Sequence, residues 1–324
     1  MKKIIVYGLG QEYRKHKFYL ENEFDIAGYS DKKAFDMEGY IPVDKIRDYD
    51  FDFIFVTSSQ YFEEIREELA DKYSIEREKI IYINDILGNF QNSKVRKEWI
   101  KKKLLQIPEG SILLDAGAGQ MKYAPYCKHL RYIAQDFGEY SSKTAEGGLH
   151  SDLKGWDDLD KSKLNIVCDV IDMPLEDESV DVILCSEVFE HLKNPILAVK
   201  EFGRVLKEEG QLILTAPFCS LTHMAPYFYG TGFSEYWYKD HLADAGFEIN
   251  ELIPFGNYFQ YLSQELFRVN EMAQQYCHTQ LSADEIRMIA DNIKLLTKLS
   301  EHDKGSKEVL CFGMMLSATK KKRA

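Results

Sequence analysis

The chain has 324 residues, 45% of them hydrophobic and 13% aromatic, enough to bury more than one core, so two domains are expected. Its formal charge of −12 repels phosphate backbones and opposes a nucleic-acid partner held by general electrostatics. The six cysteines (127, 168, 185, 219, 277 and 311) form no Cys-x-x-Cys pair, which excludes iron–sulfur radical chemistry and a cysteine zinc cluster and favours a reducing compartment. The basic start MKKIIVYGLG is cut short by Gly8 and then by charge, too early for a signal peptide, and no apolar run reaches membrane length. The expectation is a soluble cytoplasmic protein without a membrane partner. Lys101–Lys103 and the tail Lys320–Arg323 read as solvated helix face and chain end.

In chain order, KKIIVYG (residues 2–8) is a β-branched run closed by glycine, as in a buried parallel strand. EFDIAGYSD, FDFIFVTSS and KIIYIND repeat the pattern with room for helices between them. The clearest helix spans Tyr61 to Tyr73, with Phe62, Ile65 and Leu69 on one face. Residues 1–90 are therefore expected as a small Rossmann-like domain. Gly8 and Gly10 after the first strand and Asp31 after the second make half of a dinucleotide signature, whose third glycine position is Tyr13. Residues 91–108 read as a lysine-rich linker helix with Val95, Trp99 and Leu104 at helical intervals, stopped by Pro108-Glu109-Gly110.

From residue 109 to 324 a second α/β domain is expected, with strands ILLDAG, RYIAQD, NIVCDV, VDVILCS and QLILTAP and a helix from Pro195 to Leu206. A strand near Phe247, helices from Tyr261 to His302 with an N-cap at Ser282, and a last strand in 308–318 complete seven strands. The helical insertion at about 261–304 reads as a lid on this domain.

ILLDAGAGQ ends a buried strand in Asp115 and runs into Gly117 and Gly119, whose bare backbone admits close approach of a ligand. Lys122 replaces the third glycine of a pyrophosphate loop, and a carboxylate before the glycines suits a cationic ligand better than a phosphate. Asp136 ends the next strand, where a carboxylate can accept ribose hydroxyls, with Glu139 a weaker substitute; Asp169 and Val170 end the third, suited to an adenine amine and ring. These segments, with VDVILCSEVFEHL and RVLKEEGQLILTAP, resemble successive motifs of class I S-adenosylmethionine (SAM)-dependent methyltransferases, the type 11 subfamily especially, over roughly two thirds of the chain. The resemblance implies SAM as cofactor. It sets the carboxypropyl group near Asp115, Ala116, Gly117, Gly119 and Gln120, ribose at Asp136, adenine at Asp169 and Val170, and the methyl toward Ser186 and Glu187. Gln120 departs from the small residue many members carry there.

On the acceptor side, His223, in the loop PFCSLTHMAPYFYGTGF, is the preferred general base and His191, in SEVFEHL, the second candidate, with Tyr227, Tyr229 and Tyr236 as pocket hydroxyls. No metal ligand set is expected. The front domain resembles small nucleotide-binding-like domains that precede sugar-modifying enzymes of bacterial surface-glycan pathways. Two readings of it stay open: binding of a nucleotide-linked sugar at Gly8, Gly10 and Asp31, or a scaffold or dimerisation module with an empty crevice, a homo-oligomer being possible. The acceptor expected is a small molecule, a sugar or nucleotide-sugar of polysaccharide biosynthesis; the alternative is a SAM- or nucleotide-binding regulatory module that transfers no methyl group. An oxidoreductase built on the front domain is opposed by Tyr13.

Overall fold

A computed structural model describes residues 2–58, 61–83, 92–139 and 160–322. In chain order the first elements are β1 (Lys3–Tyr7), α1 (Gln11–Glu23), β2 (Asp25–Ser30), β3 (Phe53–Val56), α2 (Phe62–Asp71), β4 (Ile80–Tyr82) and α3 (Asn92–Leu104). Then come β5 (Ile112–Ala116), β6 (Arg131–Asp136), β7 (Ile166–Val167), β8 (Val180–Ser186), α4 (Pro195–Val205), β9 (Leu206–Pro217), α5 (Glu235–Asp244), β10 (Phe247–Phe255), α6 (Tyr258–Tyr276), α7 (Ala283–Glu301) and β11 (Gly313–Lys320). The chain divides into two compact units, residues 1–91 with 258–304, and residues 92–257 with 305–324. Asn84 and Asp85 of the fourth expected strand and Arg323 of the basic tail lie outside the described residues.

The first unit carries a four-stranded parallel sheet in the order β2-β1-β3-β4. Alternate residues of β1 feed opposite faces: Ile5 and Tyr7 join Ile54, Val56 and Leu69, while Ile4 and Val6 join Phe55, Leu9, Tyr13 and Leu20. The helices α6 and α7, expected as a lid on the second domain, belong to this first unit. They pack on each other, α7 lies on α1, and Phe267 of α6 joins the Ile4/Val6 core, its ring centroid 5.1 Å from that of the buried His16. The break between them is at Ser282 as expected: Ser282 and Glu285 form a reciprocal capping box at the start of α7.

The second unit is built on a seven-stranded sheet, β10-β11-β9-β8-β5-β6-β7, in which β11 runs antiparallel to both neighbours and the remaining pairs are parallel. The sheet is the expected Rossmann-like arrangement, with helices inserted before the last strand. Central β8 is buried on both faces: Ile183 and Cys185 meet Ala198, Phe202 and Tyr238 on one side, and Val182 and Leu184 face α3 on the other. The supposed linker is thus a core element, because α3 buries Ile100 and Leu104 completely against Leu113 and Leu184. It covers a face on which the β5–β6 connection places only a 3-10 turn at Ala124–Tyr126. No helix among the described residues is long and apolar enough to cross a membrane.

Candidate active site

Three parallel strands of the second unit, β5, β6 and β7, end beside one another at a cavity of about 340 Å³. Gly117, Asp136, Asp169 and Val170 all line it, as the sequence expects. Gly117 has φ of +76°, and a Cβ there would lie 2.3 Å from Val188 Cγ2, so no side chain fits between this loop and the turn after β8. The Gly117 and Ala118 amides donate to the Gln135 carbonyl (2.9 and 2.8 Å), while the Gln135 side-chain amide donates to Cys168 O at 2.7 Å, bracing the strand ends together. Asp136 is buried and accepts one backbone amide on each oxygen, from Gly119 and from Gly138, both at 2.8 Å. Each oxygen keeps a further lone pair, the number a ribose diol needs. Asp169 is exposed beside buried Val170, a carboxylate and an apolar face of the kind an adenine amine and ring require.

Asp115 does not stand among the lining residues. It is buried beneath the loop, its Oδ2 accepts the Tyr132 hydroxyl at 2.5 Å, and burial pushes its carboxyl up to about 6, opposed by Tyr132 and Lys122. Ala116 is likewise fully buried, Gly119 is buried with its amide on Asp136, and Gln120 is exposed. Ser186 lies behind the wall, 3.0 Å from Thr215 Oγ1, which in turn donates to Glu187 at 3.0 Å. Glu187 lines the cavity and pairs with Arg96 of α3 at 2.9 Å. The Lys122 ammonium, drawn in among these groups although the residue as a whole is exposed, is held below the ordinary lysine range by dehydration and by Arg96, against the pull of Glu187 and Asp115. Arg96 and Lys122 went unassigned in the sequence, one because its helix read as a linker and the other because it stood out only as a missing glycine.

At the other end of the cavity His191, Met224, Tyr227 and Tyr229 form the wall. His191 Nδ1 donates to the Tyr227 carbonyl at 2.6 Å, and burial, followed by the neighbouring His223, lowers its pKa to about 4. The His223 ring stands edge-on to it, centroids 4.8 Å apart, with Nδ1 on Leu221 O at 2.9 Å; His223 itself is not among the lining residues. Phe137, unremarked in the sequence, lines the cavity and meets the Tyr227 ring at 5.7 Å. Tyr236 does not join this wall: it sits on the surface of α5, 69% exposed, under the Lys239 ammonium. Glu190, absent from the expected set, is buried beside His191, with burial and then Glu187 raising its carboxyl well above the usual range. Where no metal ligands were expected, Glu190, His191 and His223 bring one ligand atom each within 4.8 Å of one another.

Residues 114–214 match the methyltransferase domain family, a stretch that runs from within β5 to within β9 and includes the ends of β5, β6, β7 and β8. The second unit is a class I SAM-dependent methyltransferase domain. Two methyltransferase-like relatives of Schizosaccharomyces pombe, both uncharacterized, share 36% and 34% identity with this chain over 118 and 120 residues, each stretch covering 36% of it. The chain spans 41% and 43% of those relatives' own length. Among solved structures, the YcgJ protein of Bacillus subtilis is 14% identical, with a TM-score of 0.40 over 71% of this chain and 100% of its own. A SAM-dependent methyltransferase of Mesorhizobium loti is 11% identical, with a TM-score of 0.39 over 69% and 98%. SAM is the cofactor of the methyltransferase domain, and the glycine-only approach at Gly117 with the paired lone pairs of Asp136 fits its nucleoside.

Residues 1–81 match a separate family, described as C2185-like, N-terminal. In this unit the strand order turns back between β1 and β3, the place where open parallel sheets bind ligands. Gly8 has φ of +95° and its carbonyl accepts the Thr57 hydroxyl at 2.6 Å, so the two loops are tied together there. Asp31 does not point a free carboxylate at this crevice: it accepts the Leu9 amide at 2.6 Å and the Lys33 amide at 3.0 Å, serving the loop's own backbone. Gly10 is the N-cap residue just before α1, and a Cβ there would meet nothing within 4 Å, leaving open space above the helix start.

Proposed function

We propose that the protein transfers the SAM methyl group to a polar small-molecule acceptor, a sugar or nucleotide-sugar of surface-glycan assembly. The reading is carried by one observation: the cavity that begins at the nucleoside residues Gly117, Asp136 and Asp169 continues without a break to His191 and Tyr227. Bound there, SAM supplies a methyl carbon already activated by its sulfonium. The acceptor's lone pair would bond to that carbon as the carbon–sulfur bond breaks with its electrons kept on sulfur, and the acceptor's proton would be released. What this chain contributes is placement of the acceptor atom close to the methyl carbon, together with the histidine pair that prepares that atom. Tyr227 and Tyr229 offer hydroxyls to a polyhydroxylated acceptor. The front unit, with its crevice over Gly8 and Gly10, is read as the recruiter of a nucleotide-linked sugar, and a homo-oligomeric scaffold is the competing role.

The test is SAH formation by the purified protein with SAM and pooled nucleotide-sugars, sugar phosphates and free sugars. A product heavier by one methylene from one pool is expected, and His223→Ala lowers turnover about a hundredfold while SAM still binds. SAM binding with no SAH formed in any pool would overturn methyl transfer in favour of a SAM-binding module. Saturating nucleotide-sugar is expected to raise the melting temperature of the full chain.

A further inference from the structure

Glu190 and His191 sit on the 3-10 turn Phe189–His191, directly after the last residues of β8, and His223 on the loop after β9. The two segments are tied together by backbone: the Tyr229 and Gly230 amides donate to the Glu190 carbonyl at 2.8 and 3.2 Å, and His191 donates to Tyr227 O. Both imidazoles are oriented the same way. Each spends Nδ1 as a donor to a backbone carbonyl, which only accepts, so in each the neutral ring carries its lone pair on Nε2. His191 Nε2 lies 3.7 Å from Glu190 Oε1. The other carboxylate oxygen, Oε2, is buried with no hydrogen-bond partner, and the nearby Arg96 guanidinium is engaged by Glu187. Only with a cation to answer it could this carboxyl be buried in its charged form without a large cost.

We propose that Glu190, His191 and His223 hold a divalent cation of the zinc class at the acceptor end of the methyltransferase cavity, with a fourth coordination position open to the acceptor. Two imidazoles and one carboxylate are a ligand set of open, catalytic zinc sites, and a carbonyl on the far ring nitrogen is the usual way such histidines are fixed. The ligand atoms, within 4.8 Å of one another, would draw in to about 3.3 Å around an ion with bonds of about 2 Å, a change that side-chain rotation supplies. Imidazole and carboxylate without thiolate select zinc, cobalt or manganese over soft ions. The inference rests on the reading above for placing the histidine pair beside the acceptor, and it makes the two rings ligands in place of a general base. A cation there would polarise an acceptor hydroxyl directly.

The test uses the full chain, stripped with a chelator and titrated with zinc chloride and with cobalt chloride, in the absence of acceptor. One equivalent is expected to bind, the cobalt spectrum showing low coordination number without a thiolate charge-transfer band. His191→Ala and His223→Ala are each expected to weaken zinc at least about tenfold, and Glu190→Gln similarly, while SAH binding reports that each variant is folded. Cys277→Ser, which changes an exposed thiol, leaves the stoichiometry unchanged. Zinc binding that survives the double variant His191→Ala/His223→Ala, a thiolate band, or no binding above that double variant would each overturn the site. Because no acceptor is present, these outcomes are independent of whether the proposed methyl acceptor is correct.

Discussion

In the proposed reading Asp136 joins two tasks in one carboxylate: both oxygens hold backbone amides of the loops that frame the cavity it lines, and the same oxygens would accept the ribose hydroxyls. Asp136→Asn replaces one acceptor by a carboxamide NH2 that confronts a backbone N–H, leaving that N–H unpaired at a cost of about 1–3 kcal/mol. The affinity for SAH, measured by calorimetry, is expected to fall at least about tenfold, equivalent to about 1.4 kcal/mol; an unchanged Kd would remove Asp136 from the ribose. Asp115 predicts a pH effect of the opposite character. Its carboxyl is raised from 3.8 to about 6 by burial, so the folded state binds this proton more tightly than the unfolded chain does. Stability from this group is present below the unfolded value and is lost as pH rises through about 6. That rise corresponds to about 3 kcal/mol. Asp115→Asn keeps an oxygen for the Tyr132 hydroxyl and cannot ionise, so its stability relative to the parent should climb by roughly that amount between pH 4 and 7 in urea titrations of the ligand-free protein. Parallel curves for the two proteins would show that Asp115 does not carry the effect.

At the level of elements, α3 and α7 give contrasting predictions. Leu104 of α3 is wholly buried against the methyltransferase sheet, so Leu104→Ala should cost about 2–5 kcal/mol in denaturant unfolding, whereas a residue on a solvated linker would cost under about 0.5 kcal/mol. Ser282→Ala removes the cap of α7 and should cost about 1 kcal/mol, with the first turn losing amide protection in hydrogen exchange. The same elements show what the sequence made legible. Buried parallel strands print themselves as apolar runs ending in glycine or aspartate, which is why β5 to β9, Gly117, Asp136 and Asp169 could be read in order. The capping signal Ser282-x-x-Glu285 is equally local. Helix α3 reads as a linker in the sequence because its buried stripe, Ile100 and Leu104, is embedded among Lys97, Lys101, Lys102 and Lys103, and only the sheet face opposite makes it core. The cluster of Glu190, His191 and His223 is illegible for another reason: its ligands come from two loops that converge only when β8 and β9 pair.

Across the whole molecule, both units are discontinuous in sequence. The chain leaves the methyltransferase domain after β10, contributes α6 and α7 to the first unit, and returns to place β11 between β9 and β10. A lid on the methyltransferase domain was the natural expectation from position in the chain, yet the partners of these helices lie near the N-terminus, in α1 and in the Ile4/Val6 core. Phe267 tests which assignment governs stability. Its ring packs on buried His16 and on the N-terminal sheet, so Phe267→Ala should remove about 2–4 kcal/mol from the first unit. Multi-domain chains need not unfold in one step. Two transitions are therefore expected in calorimetry, with the substitution lowering the one that belongs to the first unit. SAH, which binds the second unit, should raise the other transition equally in variant and parent. If Phe267→Ala instead weakened SAH binding by tenfold or more while leaving the first unit's transition in place, α6 and α7 would be serving the methyltransferase cavity, and the packing against α1 would be secondary to a role at the active site.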